Sequence, residues 1–152
     1  MNPTGPWTTA DFDSLSWHDV HVHGLRLEAF DDTTGQSDLV LDIDFILDWK
    51  PTPDGMRFTI CPAELRFHGV FALRITLDYA GPSAGTVPFS IACIERTERI
   101  FATGHRTLAW RIPVNWPAGL LEFEASGFTQ KLTGTPHTQA GQCLPPDKRI
   151  RR

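Results

Sequence analysis

Leu39-Val40-Leu41-Asp42-Ile43-Asp44-Phe45-Ile46-Leu47-Asp48-Trp49 alternates almost without fault. Leu39, Leu41, Ile43, Phe45, Leu47 and Trp49 fall in one phase, and Val40, Asp42, Asp44, Ile46 and Asp48 in the other. Successive strand side chains point to opposite faces, so this pattern predicts a strand with one apolar face and one mostly acidic, wetted face. A helix of that composition would scatter the three aspartates around its circumference.

Outward from this stretch, other segments repeat the two-residue period. Lys50-Pro51-Thr52-Pro53-Asp54-Gly55 closes the strand with a loop, and Met56–Cys61 predicts a short strand that Pro62 ends or bends. From Leu65 to Tyr79 the odd positions hold Leu, Phe, Gly, Phe, Leu, Ile, Leu and Tyr, which predicts one long strand or two with a bend at Gly69. Val87–Ile94, Glu95–Ala102, His105–Val114 and Leu121–Ala125 predict further strands, and Gly127 a bulge before Phe128, Gln130 and Leu132. No long segment has helical periodicity. The expected class is all-β and mainly antiparallel, about eight strands in a curved sandwich or barrel with little helix. The expected organisation is a loose segment over 1–11, a single β domain over 12–133, and a loop with a basic tail over 134–152.

Upstream, Ser16 to Phe30 reads as a strand with a phase fault. Val20 and Val22 are apolar at even positions, Leu25, Leu27 and Ala29 at odd ones. One extra residue near His23-Gly24 repairs the phase, so a β-bulge is expected there. Before it, Asp19, His21 and His23 share a face with Trp17 beside them. His18, Val20 and Val22 take the other face, with His18 in or near the core.

His21-Val22-His23 is a metal-ligand spacing, because alternate side chains of a strand lie roughly 6.5–7 Å apart on one face. Asp19 and His23, roughly 13 Å apart on a straight strand, cannot share an ion whose bonds are ~2.0–2.2 Å long. A divalent transition metal on His21 and His23 would need further ligands from His68, His105 or the acidic strand. The reading favoured by the residues is a solvated face with no cofactor. Asp42, Asp44 and Asp48 read likewise as a solvated or salt-bridged row, against Arg66 or Arg74. Catalytic residues are not expected. Ser16, His18 and Asp19 cannot form a triad, there is no nucleophile elbow, and no phosphate loop or dinucleotide fingerprint is present. Among the five tryptophans, Trp49 and Trp110 fall in the apolar phase as core, and Trp7 and Trp116 lie in loops.

The 152 residues carry a formal charge of -4, but Lys148-Arg149-Ile150-Arg151-Arg152 holds four of the 14 basic side chains. The remaining body is near -8 and repels phosphate backbones, so no nucleic-acid partner is expected. No apolar run approaches the ~20 residues of a membrane span, and Met1–Pro6 lacks the features of an export leader. Three widely spaced cysteines, Cys61, Cys93 and Cys143, suit reduced thiols in a cytoplasm.

Ser16-Trp17-His18-Asp19 leading into an alternating strand resembles the start of small bacterial all-β families. These include predicted immunity proteins of polymorphic toxin systems and families without assigned function. The resemblance implies a cofactor-free cytoplasmic binding protein whose surface complements a toxin, and an acidic body suits a basic protein partner. Trp17, Asp19, His21 and His23 with Asp42, Asp44 and Asp48 are the expected contact surface. The alternatives are a metal-dependent enzyme of cupin-like logic on His21 and His23, and a barrel that binds a lipid or other small ligand.

Overall fold

Ten strands, all paired antiparallel, make up most of the chain in a computed structural model that describes residues 3–83 and 85–149. They are β1 (Trp7–Thr8), β2 (His21–Asp31), β3 (Gln36–Thr52), β4 (Gly55–Leu77), β5 (Phe89–Ile91), β6 (Glu95–Ile100), β7 (Arg106–Trp116), β8 (Gly119–Ala125), β9 (Gly127–Leu132) and β10 (His137–Gln139). Two short 3-10 turns, Thr9–Ser14 and Pro146–Lys148, are the only helical elements among the described residues. None of these is long and apolar enough to cross a membrane.

Neighbouring strands run β1-β9-β4-β3-β2-β5-β7-β6, while β8 bridges β4 and β7 and β10 lies on β4. The path therefore bends back on itself as a partial ring, β4-β3-β2-β5-β7-β8 and again β4. Short β5 is its weak link, pairing His21 and Val22 of β2 on one side and Val114 and Trp116 of β7 on the other. The all-β antiparallel class expected from the two-residue period is the one observed.

β3 sends Leu39, Leu41, Ile43 and Phe45 inward, as its alternation requires. Phe67 meets them from β4 and is edge-on to Trp110 at 5.1 Å and to Phe123 at 4.7 Å. Such edge-to-face rings stabilise beyond the area they bury. The expected stop at Pro62 is absent. Pro62 sits within β4 opposite Asp44, and its carbonyl accepts from the Thr133 amide at 2.8 Å. Proline lacks only the amide hydrogen, so its carbonyl can still serve a neighbouring strand.

The bend expected at Gly69 is present, with φ 62° there and 52° at Ala72. At this bend β4 exchanges β9 for β8 as its neighbour. Ser126 separates those two strands, its amide donating to the His68 carbonyl at 3.0 Å. Gly127 is needed by close approach, because a Cβ there would collide with the Thr9 hydroxyl. That hydroxyl accepts from the Phe128 amide at 2.8 Å.

Strand pairing reaches into both the expected loose start and the expected loop and basic tail. Trp7 pairs with Gln130 in β1 and is buried against Phe45, ring centroids 5.2 Å apart. Trp7 is thus core rather than loop, whereas Trp49, expected inside, is 40% exposed, set opposite Phe58 and edge-on to it at 5.0 Å after a register slip between Ile46 and Asp48. At the other end β10 pairs with β4, Leu144 is buried, and Arg149 reaches β3. Ile150, Arg151 and Arg152, the rest of the expected basic tail, lie outside the described residues.

Candidate functional site

The phase fault in the first long strand is resolved by a bulge. His21 pairs with Asp44 and Val22 with Ile43, then Gly24 with Asp42, so His23 is the residue left over. After the slip Leu25 and Leu27 lie opposite Leu41 and Leu39, so odd positions take the apolar side of β3, at an edge that leaves them exposed. A bulged residue is freed from the ladder and its side chain is re-aimed. Here the His23 ring is turned onto Asp44, with Nε2 2.7 Å from Oδ2.

Asp44 is not the solvated group its row suggested, for it is 0% exposed. Its Oδ2 also accepts the Leu144 amide at 2.7 Å, and its Oδ1 accepts from the Arg149 guanidinium. A buried carboxylate is tolerable only when paired and hydrogen-bonded, and the returning C-terminal segment supplies both partners. The same segment sets the Cys143 sulfur 3.8 Å from His23 Nε2. One atom each from His23, Asp44 and Cys143 therefore lies within 4.8 Å of the other two.

Burial, and then the nearby Arg149 charge, push the His23 imidazole down to about 4. The ring is neutral at pH 7, and its contact with a carboxylate oxygen requires the proton on Nε2. Burial also lowers His21 and raises the Cys143 thiol. Cys143 is therefore not an activated thiolate. A Cys-His-Asp triad needs one ring nitrogen toward the thiol and the other toward the carboxylate. Here Nε2 faces both, which suits convergence on a common point and not relay of a proton.

The remaining expected site residues separate. Trp17 is 3% exposed and donates Nε1–H to Gln130 Oε1 at 2.8 Å, so it is core and offers no contact surface. It precedes β2, which starts at His21 and not at Ser16. Asp19 lies in the intervening turn at φ 63°, a region aspartate tolerates better than most residues. Its carboxylate accepts from Asn115 at 2.8 Å and Gln142 at 3.2 Å, and so does not share a strand face with the histidines. His18 is exposed, not in the core, and stacks on Trp49 at 6.0 Å. Asp42 pairs with Arg26 at 3.2 Å in place of Arg66 or Arg74, and Asp48 is exposed. His68 contacts Asp38, and His105 stacks on Phe101, so neither joins His23.

Arg66 instead gathers Asp38 at 3.1 Å, Glu64 at 3.1 Å and Glu28 on the outer face of β2, β3 and β4. With Asp42 and Arg26, this face holds four carboxylates against two guanidiniums. Beside it runs an unusual edge. Among the described residues, Gly24–Glu28 and Asp31 of β2 pair with β3 alone, since the β5 pairing ends at Val22, and a second slip leaves Ala29 and Phe30 unpaired. Leu27 is 58% exposed and Phe30 69%, and Leu25 and Val87 are also uncovered. A groove of about 370 Å³ runs along the start of this edge, lined by His23, Leu25, Leu77, Tyr79, Val87 and Phe89 among others.

No protein-family model matches this chain, and no curated protein matches it either.

Proposed function

We propose that the chain is a non-enzymatic protein-binding module that takes an extended, basic segment of its partner along the free edge of β2. The carrying observation is that edge itself. Exposed strand edges are usually shortened, charged or covered, because their unpaired amides and carbonyls recruit other strands. This one runs in register over Gly24–Glu28 before a slip at Ala29-Phe30, and it carries Leu25, Leu27 and Phe30 in the open. Strand addition draws affinity from main-chain hydrogen bonds and specificity from alternate side chains. Apolar residues of the added strand meet Leu25 and Leu27, while lysine or arginine in the other phase reaches Glu28 and Asp42.

The particular form we propose is a bacterial immunity-type protein that neutralises a basic toxin in the cytoplasm. The excess of carboxylates on the adjoining face supports a basic partner, as does the acidic body of the chain. Free Cys61, Cys93 and Cys143 support a reducing compartment. Selection of displayed random 12-residue peptides on the purified chain tests the mode of binding. The expected winners alternate apolar residues with lysine or arginine, and lose binding when Leu27 is replaced by lysine. Enrichment of acidic peptides, or winners indifferent to Leu27→Lys, would overturn the proposal.

A further inference from the structure

We propose that His23 Nε2, Asp44 Oδ2 and Cys143 Sγ hold one divalent transition-metal ion, with zinc(II) as the occupant. The inference stands independently of the β2 edge, and its ligand set differs from the His21/His23 pair that the spacing suggested. His21 is absent from the convergent group, while Asp44 comes from β3 and Cys143 from the C-terminal segment.

The donor set carries the choice of metal. Imidazole nitrogen, thiolate sulfur and carboxylate oxygen are the three ligand types of zinc, at ~2.0–2.1, ~2.3 and ~2.0–2.2 Å respectively. A tetrahedral ion with those bonds sets its donors roughly 3.2–3.6 Å apart. Nε2 lies 2.7 Å from Oδ2 and 3.8 Å from Sγ, on either side of that spacing. All three donors lie within 4.8 Å of one another, so an approach of the Cys143 sulfur would close the set around an ion. The sulfur has no strong competing bond, its other partner being the Leu144 carbonyl at 3.9 Å.

The surrounding groups behave as outer ligands. Arg149 holds Oδ1 and the Leu144 amide holds Oδ2, which fixes the carboxylate's orientation. The fourth coordination position goes to solvent.

The proton balance is definite. His23 transfers its N–H from Nε2 to Nδ1 through solvent, freeing the Nε2 lone pair with no net change. Cys143 loses its thiol proton on forming the metal–sulfur bond, and Asp44 is already ionised by its contact with Arg149. One proton is released to buffer per ion bound.

Untagged full-length chain, stripped with a chelator, is titrated with cobalt(II) and zinc(II). The expected result is one ion per chain, a thiolate-to-cobalt charge-transfer band that zinc erases, and release of one proton measured calorimetrically in two buffers. Cys143→Ala should abolish the band and weaken zinc binding at least about 100-fold. His23→Gln should weaken it comparably, and Cys93→Ala should leave it unchanged. Near-UV circular dichroism verifies that each variant is folded. If a variant is not, the wild-type band and its one-proton release decide the matter. A wild-type chain with no charge-transfer band, or a folded Cys143→Ala chain that binds zinc as tightly as wild type, would overturn the site.

Discussion

His23 meets Asp44 because the bulge leaves it without a partner in β3, between the Val22–Ile43 and Gly24–Asp42 pairs. The bulge turns its ring onto a carboxylate that the C-terminal segment has already covered. Local chain geometry, burial and charge pairing therefore arise at one point, and the contact depends on residues 100 positions away as much as on the strand itself.

Arg149 should matter to stability although it lies in a basic tail. Replacing it by alanine leaves the fully buried Asp44 without its cationic partner. The expected loss is about 2–4 kcal/mol, near the range for breaking a buried ion pair. Lys148→Ala, at an exposed neighbour, should change stability by less than about 0.5 kcal/mol. Urea unfolding of the two variants compares them. Equal effects would show that the tail is only a solubilising end.

Trp17 anchors the segment before β2. Its ring packs edge-on to Phe128 at 5.6 Å, and its N–H donates to the buried Gln130 side-chain oxygen. Trp17→Ala should cost about 3–5 kcal/mol. Trp17→Phe keeps most of the packing but leaves the Gln130 oxygen unpaired, for a loss of about 1–3 kcal/mol. Thermal and denaturant melts would show this ordering. A Trp17→Phe chain as stable as wild type would remove the hydrogen bond from the account.

Asp38 is pushed up by burial, but the Gly69 amide, Arg66 and His68 outweigh that and hold it below the ordinary range. Glu28 is held low by Arg26 and then Arg66. A carboxyl whose value is depressed by folding binds fewer protons in the folded state. Its contribution is present above the unfolded value and is lost as pH falls through the folded one. Wild type should therefore lose stability below about pH 4. Arg66→Ala should be less stable at pH 7 by about 1–3 kcal/mol and fall less steeply in acid. Chemical unfolding at pH 7 and pH 3 measures both slopes, and parallel slopes would contradict the assignment.

Leu27 separates binding from folding. It is exposed on a free edge, so Leu27→Lys should leave unfolding within about 0.5 kcal/mol of wild type. The same change should weaken a selected basic peptide at least tenfold. A titration that finds unchanged affinity would move the docking site off β2.

Alternation made the strands legible, and the phase fault at His23-Gly24 located the bulge. The candidate site was only half legible. Asp42, Asp44 and Asp48 look equivalent in sequence, yet Asp44 is buried and Asp48 exposed. The missed signal was Ile46, two residues beyond Asp44 and buried as well, since a wetted face has no need of an isoleucine there. Cys143 and Arg149 were not legible as neighbours of His23, because no local period records where a loop returns. Pro62 misled for a related reason. Its local rule concerns a lost donor, whereas its carbonyl is what the neighbouring Thr133 uses.

The most direct test is the exchange rate of the Leu144 amide hydrogen. Its bond to buried Asp44 predicts protection near that of the β3–β4 ladder, abolished by Arg149→Ala. Exchange in wild type at the rate of an unstructured chain would mean that the final segment does not cover Asp44, and the site built on it would dissolve.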